Sequence, residues 1–237
     1  MRAVRDLFRT NPNNEWDFIP AFHHVGIARA DPIRQLCRIL EGDVALLPFE
    51  MRERRADLGI AGFMQMLGTI DVFAGDGKYV FLSISPQAYT TISDEAVLVY
   101  DAEDLVLNYG AFIRPFDFQD SYYDICKKIT GMKICPTRQF PESVSVIRAD
   151  IKRFRNRHEI RGNDALGYLR TYAESRVRDV YAELLVPGEL PILDAIEVGV
   201  KESDYSASGS PGRDVLFAPI DRIVKVLRCD RKPSEWR

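Results

Sequence analysis

Glu183 is the residue of this chain that most needs a chemical reason for its place. It stands in Val180-Tyr181-Ala182-Glu183-Leu184-Leu185-Val186, an otherwise apolar run closed by Pro187-Gly188. Side chains alternate along a strand, so Glu183 shares a face with Tyr181 and Leu185, and a half-buried carboxylate there is costly unless it is paired or put to use. An edge strand open to water would remove that cost. Two further segments bring polar groups into apolar surroundings. Ala21-Phe22-His23-His24-Val25-Gly26-Ile27 carries a histidine pair. On a strand one ring faces the core or a cleft and the other faces away, and backbone groups can satisfy either. Gly77-Lys78-Tyr79-Val80-Phe81-Leu82-Ser83-Ile84-Ser85-Pro86-Gln87-Ala88-Tyr89 is a strand-like run ending in two hydroxyls. Ser85 before Pro86 also reads as a helix N-cap with proline at the first helical position.

Other familiar chemistry has no foothold. There is no Walker A loop, no GxGxxG and no GxSxG elbow, and Gly75-Asp76-Gly77-Lys78 reads as a turn. The histidines are His23, His24 and His158, with no HExxH, so no metal is expected. Cys37, Cys126, Cys135 and Cys229 form no CxxC pair and read as scattered thiols in a reducing compartment. Against 35 acidic residues stand 32 basic ones, a net charge of -3, so a nucleic-acid partner would have to be held by a local basic patch. Lys152, Arg153, Arg155, Arg157 and Arg161, interleaved with Phe154 and His158 and followed by Arg170, Arg176 and Arg178, make such a patch. Cations for phosphates beside rings for bases suit single-stranded nucleic acid. The same run could instead be a solvated helix face paired with Asp150, Glu159 and Glu174.

The elements that must position these residues follow from patterning. At 237 residues, 46% hydrophobic and 28% charged, the chain can bury a core and excludes disordered, collagen-like and coiled-coil classes. Asp31 to Gly42 predicts a helix, with Ile33, Leu36, Cys37 and Leu40 on one stripe. A second helix is expected from Glu50 to Leu67. Thr69 to Ala74 and Lys78 to Ser83 read as a hairpin, and Ala96 to Tyr100 as a strand running into Asp101, which caps a short turn through Leu105. Helices are expected at Phe116 to Thr130, Ser145 to His158 and Asn163 to Arg178. Val180 to Val186, Ala195 to Lys201 and Arg222 to Leu227 read as strands, with a polar loop from Glu202 to Arg213. Strands early and late, with helices at the front and between, predict an α+β domain rather than an alternating α/β sheet. A single domain is expected, with a mainly helical insertion at about 116–178. Met1 to Asp6 leads into Thr10-Asn11-Pro12-Asn13-Asn14 without an apolar signal core, and no run of apolar residues is long enough to span a bilayer. A cytoplasmic protein without a membrane partner is the expectation.

Taken in order, the three segments resemble the ADP-ribosyltransferase superfamily, over roughly His23 to Val200. The pattern is a histidine-containing strand before a helix ending in glycine, then Val-Phe-Leu-Ser followed by Ser-Pro, then Ala-Glu-Leu-Leu-Val-Pro. It is most similar to the branch holding the DarT-type nucleic-acid ADP-ribosyltransferases and the tRNA 2′-phosphotransferases. The resemblance implies a split mixed or antiparallel β core with flanking and inserted helices, NAD as co-substrate, and nucleic acid, DNA or RNA, as acceptor. It further implies a toxin or antiviral effector held in check by a neutralising antitoxin protein. His24 would then hydrogen-bond the adenosine ribose of NAD and Gly26 would let the backbone approach the nicotinamide amide. Ser83 and Ser85 would line the nicotinamide end, with Phe81 or Tyr89 stacking on it. Glu183 would be catalytic, holding the 2′-hydroxyl of the nicotinamide ribose and stabilising the positive charge that develops as the glycosidic bond breaks.

The departures are specific. Enzymes of the superfamily that modify arginine carry Glu or Gln two residues before the catalytic glutamate, where this chain has Tyr181. DarT-type enzymes carry an arginine near the central motif that Tyr79 to Tyr89 lacks; Arg52, Arg54 or Arg55 could substitute. The basic set of a tRNA 2′-phosphotransferase is not recognisable. A protein acceptor, a phosphotransferase and a non-enzymatic nucleic-acid-binding module remain the alternatives.

Overall fold

The computed structural model describes residues 2–10, 16–26, 32–41, 45–48, 78–84, 95–115, 158–174, 182–201 and 215–230, and each structural statement below concerns these. The strands are β1 (Arg9–Thr10), β2 (Pro20–Gly26), β3 (Ala45–Leu46), β4 (Tyr79–Ser83), β5 (Glu95–Asp101), β6 (Phe112–Arg114), β7 (Glu183–Pro187), β8 (Leu190–Pro191), β9 (Glu197–Lys201) and β10 (Val215–Pro219). The helices are α1 (Arg2–Arg5), α2 (Pro32–Glu41), α3 (Ala102–Tyr109), α4 (Gly162–Glu174) and α5 (Ile220–Asp230), with a single 3-10 turn at Ile192–Asp194.

Eight strands form one sheet in the order β1-β10-β9-β5-β2-β4-β7-β6, while β3 and β8 pair separately. Every described pairing is antiparallel, so the chain is α+β with an antiparallel sheet. The sheet is loosely joined in its middle. β2 pairs with β5 from Pro20 to Gly26, and β4 with β7 along its whole length, yet β2 and β4 share the single register pair Phe22 and Ser83. Two halves therefore meet at one rung.

Alternation gives the two faces different tasks. One face buries Ala21, Leu82, Leu98, Ile113, Leu184 and Val198 against the helices, which contribute Leu36, Cys37 and Leu40 from α2, Ala165 and Leu169 from α4, and Ile223 and Leu227 from α5. The opposite face carries two apolar clusters. Phe22, Val97, Val99, Val215 and Phe217 gather with Trp16 and Phe18 on one half, and Tyr79, Phe112 and Leu185 with Phe81 on the other. Gly199 is required in the first cluster, because a Cβ there would come within 2.7 Å of Phe217 and Val97.

Local chemistry explains the helix ends. Asp101 caps α3 by accepting from the Glu103 N–H, and Gly110, at φ 65°, closes it in the left-handed region that glycine enters at little cost. The expected turn through Leu105 thus continues to Tyr109. α2 falls within its expected span, while α4 starts at Gly162, one residue ahead of the expected Asn163, and the residues beyond Glu174 lie outside the described set. One expectation is overturned: Arg222 to Leu227 is not a strand but part of α5. Its β-branched residues suggest a strand, but Ile220, Ile223 and Leu227 are buried while Asp221, Arg222, Lys225 and Arg228 are exposed. That is a helical stripe, and packing on the sheet outweighs the weak propensity of Ile and Val. β6 and β10 were not anticipated. The expected helices at Glu50 to Leu67 and Phe116 to Thr130, the strand at Thr69 to Ala74, and all but the last residue of Ser145 to His158 lie outside the described residues. So does most of the proposed insertion.

Candidate active site

Among the described residues the buried polar or charged side chains are Ser83, Arg114 and Glu183. They are neighbours. The Cα register sets Ser83 opposite Glu183 across β4 and β7, and Arg114 opposite Glu183 across β6 and β7. Phe22 stands opposite Ser83 on the other side. Residues paired in register point to the same face, so Phe22, Ser83, Glu183 and Arg114 make one row across four strands, each about 4.7–4.9 Å from the next. The row crosses the sheet at the rung where its two halves meet, between the two apolar clusters.

β7 is an interior strand, flanked by β4 and β6, and Glu183 is 7% exposed. Water at a sheet edge therefore does not relieve its desolvation; the polar neighbours Ser83 and Arg114 stand where relief is needed. The pairing is extended past the strand ends by Ile84 N–H donating to the Ala182 carbonyl at 3.1 Å and Gly188 N–H to that of Lys78 at 3.2 Å. The backbone holding Ser83 and Glu183 is thus bonded on both sides.

Arg114 is wholly buried. Its Nη2 lies 3.3 Å from Glu159 Oε1. Arg114 did not stand out from the sequence, although an arginine closing the apolar run Ala111-Phe112-Ile113 is a signal of the same kind as Glu183. Glu159 reaches it through backbone geometry. Ile113 and Ile160 exchange two 2.9 Å backbone hydrogen bonds in an isolated antiparallel bridge. That bridge sets Glu159 beside Arg114 and Arg161 beside Phe112. Arg161 accordingly lies 3.9 Å over the Phe112 ring and donates to Glu159 Oε2 at 2.6 Å.

The histidine strand borders this row. His23, half-buried, sets Nδ1 2.7 Å from the carbonyl of Phe81. A carbonyl can only accept, so Nδ1 carries the proton and a neutral ring presents its lone pair at Nε2. The ring reaches across the opening between β2 and β4 to a carbonyl just beyond their single rung. His24 and Gly26 pair through their backbone with Val97 and Glu95. Phe81 packs beside Tyr79, Phe112 and Leu185. Ser85, Tyr89, Tyr181, Lys152, Arg153, Arg155 and Arg157, with Arg52, Arg54 and Arg55, lie outside the described residues. The structure therefore brings Ser83, Glu183 and the histidine strand together, adds Arg114 and Glu159, and engages Arg161 of the basic patch in an ion pair.

Several groups displaced from their usual pKa lie away from this row. Burial raises Tyr100 and Asp101, and burial with a hydrogen bond to Asp194 pushes Tyr109 up to about 12. Tyr100 and Asp101 line a cavity of about 160 Å³ together with Asp104, Leu105, Asp194 and Ile196. No basic side chain lines it, which suits neither a phosphate nor a carboxylate. Among the described residues there is no group of three or more His, Cys, Asp or Glu fit to hold a metal ion, and no helix long and apolar enough to cross a membrane.

Comparison with family models, with curated proteins and with solved structures finds no match to this chain.

Proposed function

We propose that the protein is an NAD-dependent mono-ADP-ribosyltransferase that modifies nucleic acid. The observation that carries this reading is the rung-to-rung opposition of Ser83 and Glu183, both buried, at the point where the sheet divides and the histidine strand adjoins. The three segments that resemble the superfamily lie far apart in sequence, yet they form adjacent strands β2, β4 and β7. Their adjacency supports the reading by placing the three segments where they could line one site.

In the proposed reaction the bond between ribose C1′ and the nicotinamide nitrogen breaks, and its electron pair leaves with nicotinamide. A nucleophilic nitrogen or oxygen of the acceptor then bonds to C1′ and gives up its proton. Glu183 supplies a fixed negative charge beside the oxocarbenium-like ribose, which stabilises the transition state more than the ground state. Ser83 offers a hydroxyl to the nicotinamide end, and the Phe81 ring a surface for it. The antitoxin partner, the effector role and the cytoplasmic setting belong to this reading.

One observation favours a different acceptor. Arg161 is held by Glu159 and Phe112, so part of the basic run is already engaged within the chain. A protein acceptor would need less of that patch. The deciding experiment incubates the full chain with labelled NAD and either an oligonucleotide or a protein extract. Label on the oligonucleotide, lost in Glu183→Gln with the thermal transition unchanged, supports the proposal. Label on protein alone selects the second acceptor, and no nicotinamide release with either rejects the enzyme reading.

A further inference from the structure

The row of charge does not end at Glu183. Outward from it come Arg114, opposite in register; Glu159, whose Oε1 lies 3.3 Å from Arg114 Nη2; and Arg161, whose Nη2 donates to Glu159 Oε2 at 2.6 Å. The signs alternate and the exposure climbs at the end. Arg114 is wholly buried, the Glu159 side chain is 9% exposed, and that of Arg161 is 54% exposed.

Such an order has an electrostatic consequence. In a low-dielectric setting the charge of Arg114 is felt by Glu159, which it contacts, and by Glu183, opposite it in register. At Glu183 the negative charge of Glu159 opposes the field of Arg114, and Arg161, bound to Glu159 at 2.6 Å, cancels part of that opposition. Without Arg161, Glu159 offsets more of that field, and Glu183 keeps more of its negative charge uncompensated. Arg161 is the member that solvent reaches, and its guanidinium fork suits a phosphate as well as a carboxylate.

We propose that Arg161, Glu159 and Arg114 form a charge relay through which an anionic group bound at Arg161 controls how fully Arg114 neutralises Glu183. A phosphate that draws Arg161 from Glu159 leaves Glu183 more strongly negative in effect. The consequence for catalysis rests on the ADP-ribosyltransferase reading: Glu183 then best supports the cation formed as nicotinamide leaves. Cleavage of NAD is thereby favoured when acceptor phosphate is in place. The coupling of the charges is independent of that reading.

The test follows the Glu183 carboxyl through a pH titration by NMR, in the full chain with isotope-labelled glutamate, assigned by Glu183→Gln. Among the described residues the groups facing it are Ser83 of β4 and Arg114 of β6, with Glu159 and Arg161 behind Arg114 and exposed His158 next to Glu159. Arg161→Gln raises the Glu183 midpoint by about 0.5–1 pH unit, less than the roughly 1–3 of a directly adjacent charge. Glu159→Gln lowers it, and the double variant matches Glu159→Gln alone, because without Glu159 to hold it the exposed Arg161 side chain moves into water, where its charge is screened. Arg161→Lys keeps the wild-type midpoint. Inorganic phosphate raises the midpoint of wild type and leaves that of Arg161→Gln unmoved. A midpoint indifferent to Arg161→Gln, or shifts that simply add in the double variant, overturns the relay. Absence of nicotinamide release would instead overturn the reaction and leave these titrations standing.

Discussion

Ser83 and Glu183 stand opposite each other on neighbouring antiparallel strands, one 6% and the other 7% exposed. A hydroxyl and a carboxylate so placed can address one ligand from two strands at once. Because β4 and β7 pair over their full length, neither can move without disturbing a ladder of hydrogen bonds. Preorganisation of this kind lets a charge act in a transition state without first reorienting.

Removal of the carboxylate in Glu183→Gln is expected to lower NAD turnover by about 10²–10³, the range seen when one preorganised group is lost. Ser83→Ala should cost about tenfold, in line with one hydrogen bond. If both touch the same nicotinamide riboside, the double variant loses less than the product of the two factors. Steady-state rates of nicotinamide release measure this, and fully multiplicative losses would show that the residues act separately.

His23 is expected to matter for folding through its bond to the Phe81 carbonyl. His23→Leu leaves that acceptor unmet and should destabilise by about 1–3 kcal/mol in urea unfolding. His23→Asn, whose amide can donate at a similar place, should lose less. Equal losses would mean that the packing of the ring, and not its N–H, is what the opening between β2 and β4 requires.

Gly199→Ala should destabilise by about 1–3 kcal/mol, since its methyl must displace Phe217, Val97 and Val215 in a packed cluster. Pairing the change with Phe217→Leu should recover part of the loss by making room. A single variant as stable as wild type would contradict the packing described for this face.

Asp101 links α3 to pH. Its pKa lies above 3.8, chiefly because burial disfavours the charged form, with the Glu103 N–H hydrogen bond opposing. A carboxyl raised on folding holds its proton in the native state after the unfolded chain has released one. Stability from this group therefore declines as pH rises through the range just above 3.8. Asp101→Asn keeps the cap and should flatten that slope, whereas Asp101→Ala should cost about 1 kcal/mol through loss of the cap. Unfolding midpoints collected across that pH range decide it; an unchanged slope in Asp101→Asn would assign the dependence to other groups.

Much of the local structure was legible because its causes are local. The stripe of Leu36, Cys37 and Leu40, the cap at Asp101 and the apolar run from Tyr79 to Ser83 each follow from neighbours in sequence. The helix at Ile220–Asp230 was misread because Ile223, Val224 and Val226 favour a strand when taken alone. Only the sheet beneath makes their helical stripe the better burial. β10 was overlooked because a long polar stretch of sequence separates it from its partner β9.

For the candidate site the division is similar. The amino-acid sequence alone singled out Glu183, Ser83 and the histidine strand, because polar groups in apolar runs carry a desolvation cost visible without coordinates. It left open whether Glu183 lay at a wet edge. Tertiary structure decided that β7 is an interior strand and that Ser83 is its cross-strand partner. It also set Arg114, with Glu159 behind it, on the other side. Those facts depend on strand order and register. Both are settled by how distant segments share one core, and no local pattern encodes them.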